Sequence, residues 1–94
     1  MQINMIEYSI SITNQEVDEN IIHNIFLVLK KLDFLENVEL ESDFKIWDEK
    51  SWTTVFLENS KTIYLAVSIE RKTIIKSILN VLSEHCLEYM IEEE

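Results

Sequence analysis

Hydrophobic and polar positions alternate along the chain in two different periods, and the period changes mark its elements. Ile6, Tyr8, Ile10 and Ile12 alternate with Glu7, Ser9, Ser11 and Thr13, the period-two pattern of a half-buried strand. The period then lengthens. Val17, Ile21, Ile25, Val28, Leu29 and Leu32 repeat at helical spacing, behind Thr13-Asn14-Gln15-Glu16, which reads as a capping box or an Asn cap. Glu16, Asp18 and Glu19 stand in the first turn of that helix, and Lys30 and Lys31 in its last. That placement suits the helix dipole. The helix is expected to end between Asp33 and Asn37.

Three strands are expected next. In the first, Val38, Leu40, Phe44 and Ile46 alternate with Glu39, Glu41, Asp43 and Lys45. The second runs from Trp52 to Glu58, and the third sets Ile63, Leu65, Val67 and Ile69 against Thr62, Tyr64, Ala66 and Ser68. Their connections, Asp48-Glu49-Lys50 and Asn59-Ser60, use residues that tolerate turn geometry. A final helix is expected from about Arg71 to Tyr89 or beyond, with Ile75, Ile78, Leu79, Leu82, Cys86 and Met90 as its buried stripe. The order β-α-β-β-β-α predicts one α+β domain over residues 1–94. Its architecture is a two-layer sandwich, a mostly antiparallel four-stranded sheet with two helices packed on one face. The place of the first strand in the sheet is left open.

Register gives the sheet an expected open face. A two-residue turn at Asn59-Ser60 pairs Phe56 with Ile63, Thr54 with Leu65 and Trp52 with Val67 on one face. A three-residue loop at Asp48 to Lys50 sets Phe44 opposite Thr54 and Ile46 opposite Trp52, gathering the aliphatic residues on the buried side. A bulge would gather them as well. The outward face then carries Glu39, Glu41, Asp43, Lys45 and Trp47, with Thr53, Val55, Leu57, Tyr64 and Ala66 beside them. Trp47, Val55, Leu57 and Tyr64 form an apolar patch bordered by an acidic ladder, an arrangement that marks interaction sites.

Composition changes this picture mainly through charge. The chain has 94 residues, 18 acidic against 8 basic, and a formal net charge of −10. It has no Gly and no Pro, so phosphate-cradling loops and dinucleotide fingerprints are excluded. Scarce Ala and Arg with abundant Ile, Asn and Glu suggest an AT-rich coding sequence. That bias also enriches Lys, so it does not account for the acidity. Glu39, Glu41 and Asp43, about 6.8 Å apart on one strand, repel each other by only about 0.6 kcal/mol per pair in water. Glu84, Glu88 and Glu92 recur every four residues at the C-terminal end of the last helix, where the dipole disfavours anions, and Glu93 and Glu94 follow. Arg71, Lys72 and Lys76 occupy its opposite end, so its charge polarity is reversed.

Chemistry beyond binding is thin. His85 and Cys86, adjacent on a helix, would point about 100° apart and make a poor catalytic pair. Zinc-ligand spacing is absent, and neither a cofactor nor a metal is expected. One cysteine allows no internal disulfide, no apolar run is long enough to span a membrane, and Met1-Gln2-Ile3-Asn4 reads as no secretory signal. A cytoplasmic location is therefore expected. An acidic surface argues against direct nucleic-acid contact, because phosphates need basic side chains.

In size, charge and α+β type the whole chain resembles two classes of protein. One is the bacterial immunity protein that neutralises a cognate toxin, often a basic nuclease. The other is the phage-encoded inhibitor of host defence, including anti-CRISPR proteins and nucleic-acid mimics. The resemblance implies a non-catalytic inhibitor whose partner is a basic protein. The expected contact residues are Glu39, Glu41, Asp43, Trp47, Val55, Leu57, Tyr64, Glu84, Glu88 and Glu92. A homodimeric structural or adaptor domain is the alternative.

Overall fold

The computed structural model describes residues 4–32, 35 and 37–94, with Arg71 described by its backbone alone. Two helices and a six-stranded antiparallel sheet make an α+β fold. The elements are β1 (Met5–Ile12), α1 (Glu19–Leu29), β2 (Glu39–Leu40), β3 (Ile46–Asp48), β4 (Thr53–Asn59), β5 (Thr62–Ser68), α2 (Thr73–Glu84) and β6 (Tyr89–Glu93). A single 3-10 turn over Ile69–Arg71 links β5 to α2. The sheet order is β2-β3-β4-β5-β1-β6, so β2 to β5 form a meander and β1 lies between β5 and β6.

β1 forms as its alternation requires. Ile10 and Ile12 are buried, and Ile6 and Tyr8 point to the same side, opposite Val67 and Leu65. α1 starts later than the sequence pattern suggests. Its cap is Asp18, whose carboxylate accepts a hydrogen bond from the Asn20 backbone N–H at 2.9 Å. The Thr13-to-Glu16 segment is therefore not a helix cap. Instead Asn14 acts as a clamp: its side-chain amide donates to the Cys86 carbonyl and its oxygen accepts from the Glu88 N–H, both at 3.0 Å. Ile21, Ile22, Ile25 and Leu29 form the buried stripe of α1. α1 ends at Leu29 with Lys30 as its cap, short of the expected boundary between Asp33 and Asn37, so Lys30 and Lys31 follow the helix and do not fill its last turn; Asp33 itself lies outside the described residues.

The stretch expected as one strand from Val38 to Ile46 is a hairpin. The Phe44 N–H donates to the Glu41 carbonyl at 3.0 Å, and the Glu41 N–H to the Lys45 carbonyl at 2.9 Å. Phe44 takes a φ of 60°, the left-handed conformation that closes a three-residue hairpin loop. Glycine holds this position most cheaply, but the chain has none. Phe44 offsets the cost by packing its ring against the core.

The β3–β4 turn is closed by buried polar groups. The Asp48 carboxylate accepts from both the backbone N–H and the hydroxyl of Ser51, and the Ser51 and Thr53 hydroxyls lie 2.6 Å apart. Trp52 then turns the chain at φ 53°. The loop holds four residues, so Ile46 pairs with Val55 and Trp47 with Thr54.

At the β4–β5 hairpin Asn59 pairs with Thr62, whereas Leu57 pairs with Ile63. The extra residue between them, Glu58, is a bulge. It reverses the expected orientation of β4. Val55 is fully buried against Leu65, while Phe56 stands beside Tyr64 on the other face.

The last helix is shorter than expected. It stops at Glu84 in a Schellman motif: the Cys86 N–H reaches the Ser83 carbonyl and the Leu87 N–H the Leu82 carbonyl, both at 3.0 Å. Cys86 occupies the left-handed position of that motif at φ 59° and is exposed, not buried in a helical stripe. The chain then reverses into β6, which pairs antiparallel with β1, making Met90 an exposed strand residue. The helix is also rotated: Ile74, Ile78, Val81 and Leu82 are its buried residues. The four-stranded sheet becomes six because one strand is a hairpin and the helix end is a strand.

Both helices pack side by side on the face carrying Ile10, Ile12, Ile46, Val55, Ile63, Leu65 and Val67, and these residues join theirs in a single core. No helix among the described residues is long and apolar enough to cross a membrane.

Two outcomes test this fold. Val55→Asp should abolish cooperative folding, costing about 3 kcal/mol or more for a buried unpaired charge. Phe56→Ser should cost only about 1–1.5 kcal/mol. Urea denaturation distinguishes this from the reverse ranking, which the unbulged register requires. Cys86→Gly should raise stability by about 0.5–1 kcal/mol by relieving the left-handed strain. An unchanged or lowered urea midpoint would contradict that.

Candidate functional site

The face of the sheet opposite the helices is open. Strand alternation puts Glu39, Trp47, Thr54, Phe56, Tyr64, Ala66, Glu7, Ser9, Ser11, Met90 and Glu92 on it, in order across the strands. Four aromatic rings gather there. Trp47 and Trp52 meet edge to face with centroids 6.0 Å apart and planes at 88°. Phe56 and Tyr64 stack at 4.9 Å with planes tilted by 31°. All four are half-buried, covering one another, and none belongs to the core. Both tryptophans of the chain are in this strip.

Carboxylates surround it. Glu39 lies beside Trp47 in register, and Glu7, Glu58, Glu92 and Glu94 edge the other end. The Tyr64 hydroxyl donates to Glu7 Oε1, and the Glu94 N–H donates to the Glu7 carbonyl at 2.9 Å, holding the two acids on adjacent strands. Burial pushes the Tyr64 phenol up to about 12, helped by its bond to Glu7 and by the nearby charges of Glu7, Glu94 and Glu58. All five acids are exposed, and no strand position on this face from β2 to β6 holds Lys or Arg.

The expected contact residues divide. Trp47, Tyr64, Glu39 and Glu92 stand on the open face. Val55 and Leu57 do not: the bulge turns both toward the helices, Val55 fully buried and Leu57 packed against the core. Glu41 and Asp43 are exposed in the β2–β3 turn, where Asp43 accepts from the Lys45 N–H at 3.3 Å, so no three-rung acidic ladder forms. Glu84 ends α2, Glu88 lies in the connection and Glu92 in β6, so they share no helical face. Trp52, Phe56, Glu7, Glu58 and Glu94 join the site without having been singled out from sequence. The available signal was the absence of glycine at the Asn59 turn, which makes a bulge the means of matching strand twist.

Elsewhere, a hollow of about 420 Å³ lies between the start of α1 and the end of α2, lined by Asp18, Asn20, Asn24, His85 and Leu87 among others. In it His85 Nδ1 donates to the Val81 carbonyl at 2.9 Å, leaving Nε2 to accept from the Asn24 amide at 3.1 Å. Both ring nitrogens are thus engaged: Nδ1 secures the C-terminal end of α2, and Nε2 ties α2 to α1. Among the described residues no group of three or more His, Cys, Asp or Glu is placed to hold a metal ion. Comparison with family models, with curated proteins and with solved structures finds no match to this chain.

The Glu7 contact can be read by titration. A phenol whose folded pKa is raised contributes stability that is complete below its unfolded value of 10.0 and is lost as pH rises toward about 12. Ultraviolet difference absorbance against Tyr64→Phe should place the midpoint near 12, and Glu7→Gln should lower it. A wild-type midpoint at the ordinary value would contradict the arrangement.

Proposed function

We propose that this protein is a non-catalytic inhibitor that binds and neutralises a basic partner protein through the open face of its sheet, in the manner of an immunity protein acting on a nuclease-type toxin. The observation that carries the reading is the aromatic strip of Trp47, Trp52, Phe56 and Tyr64, which stands outside the core and is rimmed by carboxylates, with no Lys or Arg at the strand positions of that face. Each part has a physical task. The carboxylates steer a basic surface toward the face and fix its orientation. The rings then exclude water and slow dissociation, as buried aromatic anchors do in protein interfaces. A nuclease cleft is basic because it holds phosphates, so an acidic face competes for the same side chains.

A second copy of the chain fits this face poorly. Stacking two such faces brings together two carboxylate-rimmed surfaces, at a net charge of −10 per chain. The free protein should therefore elute at its monomer mass of 11.2 kDa, and a stable dimer would redirect the reading toward self-assembly.

The decisive experiment uses the full chain as bait, identifies the basic protein it retains, and measures binding kinetics with variants. Trp47→Ala or Phe56→Ala should weaken binding about 30-fold or more, a loss of about 2 kcal/mol, chiefly through faster dissociation. Added salt should cut the on-rate about tenfold or more. One equivalent of the protein should suppress the partner's activity. A partner that binds both variants unchanged, or stays fully active when bound, would sink the proposal.

A further inference from the structure

The free edge of β6 is a second unpartnered surface, and its backbone polarity can be read directly. Among the described residues β6 is the outermost strand and pairs only with β1. The Glu88 carbonyl accepts from the Thr13 N–H and the Glu94 N–H donates to the Glu7 carbonyl, both at 2.9 Å. In an antiparallel strand a residue directs its N–H and C=O to the same side, and successive residues alternate. Met90 and Glu92 therefore bond inward to β1, and Tyr89, Ile91 and Glu93 direct their N–H and C=O groups outward. The opposite edge of the sheet is different. β2 has only two residues, a length that blunts pairing. β6 has five.

An edge of this length is a template for another strand, and its side chains decide which strand. Glu88, Glu92, Glu93 and Glu94 line it, and no residue from Leu87 onward is basic. Met90, 61 % exposed, is the most exposed large hydrophobic residue described, and it shares the open-face side with Glu92. Edge pairing with a second copy would bring two edges of the same negative charge together. A segment with Lys or Arg on the open-face side, where Glu92 and Glu94 stand, and apolar residues on the other side, beside Ile91, complements the edge in both backbone and charge.

We propose that β6 accepts an extended basic segment of the partner protein as a seventh strand, hydrogen-bonded through Tyr89, Ile91 and Glu93. The proposal rests on the reading of a basic partner and specifies how its chain is engaged. Glu92 and Glu94 belong to both the edge and the open face, so a single partner can use the two surfaces together.

The probe is a short end-blocked peptide alternating lysine and valine, with a glutamate–valine peptide as control, added to the full chain. Amide exchange followed by NMR should show the Tyr89, Ile91 and Glu93 N–H groups protected about tenfold or more by the basic peptide and not by the acidic one. Glu93→Pro removes an outward N–H while leaving the β1 ladder intact, so it should weaken binding well beyond Glu93→Gln. If Glu93→Pro fails to fold, the basic peptide N-methylated at alternate residues serves instead, and it should lose the protection. No protection at these three amides, or equal binding by the N-methylated peptide, overturns the proposal. Tryptophan fluorescence separates the two readings, because both tryptophans lie on the open face. A fluorescence response without β6 protection overturns strand addition and leaves the open-face reading standing. Protection at β6, with no fluorescence response and with unchanged partner affinity for Trp47→Ala, supports strand addition and overturns the open-face reading.

Discussion

One extra residue at the end of β4 decides what this protein buries and what it shows. A two-residue hairpin turn matches the twist of its strands only in a primed form, which needs a positive φ at its first or at both central residues. Ser60 and Lys61 have no such φ; the left-handed residues among those described are Phe44, Trp52 and Cys86. An unprimed turn splays the strands, and the bulge at Glu58 takes up the mismatch. Asn59 and the neighbouring chain hold the turn in place. The Asn59 side chain accepts from the Lys61 N–H at 2.8 Å, while the Ser60 and Lys61 carbonyls accept from Val17 and Ile12 at 2.7 Å. Because the bulge shifts the register by one, Val55 and Leu57 join Ile46, Ile63 and Leu65 under the helices. Phe56 passes to the face of Trp47 and Tyr64. Core and candidate site are two consequences of the same irregularity.

Where regular alternation or helical spacing continued without a turn inside it, the sequence was readable. β1, β5 and the buried stripe of α1 follow from residues 6–12, 62–68 and 21–29 with little change. The misreadings share a cause. In a chain without Gly or Pro, turns lose their usual markers, and left-handed positions are held by residues that look like core. Phe44 continues the alternation through a hairpin loop, so two short strands read as one. Cys86 continues the helical stripe through a Schellman turn, so β6 read as helix. Trp52 sits at the mouth of β4 and made its loop appear one residue shorter. The candidate site suffered most, because strand parity is all-or-none. An uncounted bulge moved Val55 and Leu57 out of the site and Phe56 into it, while Trp47 and Tyr64, on the neighbouring strands, stayed where alternation placed them.

The placement of charge fits the same geometry. α2 carries Lys72 at its cap and Lys76 in its first turns, with Glu84 at its end, so its charges oppose its dipole by roughly 0.3–1 kcal/mol each. Local helix stability gains nothing from this. The acids at that end lead directly into β6, which continues them along the outer edge of the sheet and around the aromatic strip. A strip of four half-exposed rings and a five-residue free edge are both surfaces on which a protein tends to pair with itself. At the separations of exposed side chains in water, each carboxylate pair repels by only about 1 kcal/mol or less. Summed over both surfaces in two facing copies, that repulsion opposes self-pairing while leaving the rings and the edge groups free. A partner bearing opposite charge meets the same acids as attraction. On the proposed reading, the acidity that guards these surfaces against a second copy also selects what can occupy them, and it concentrates that selection where β6 borders the open face.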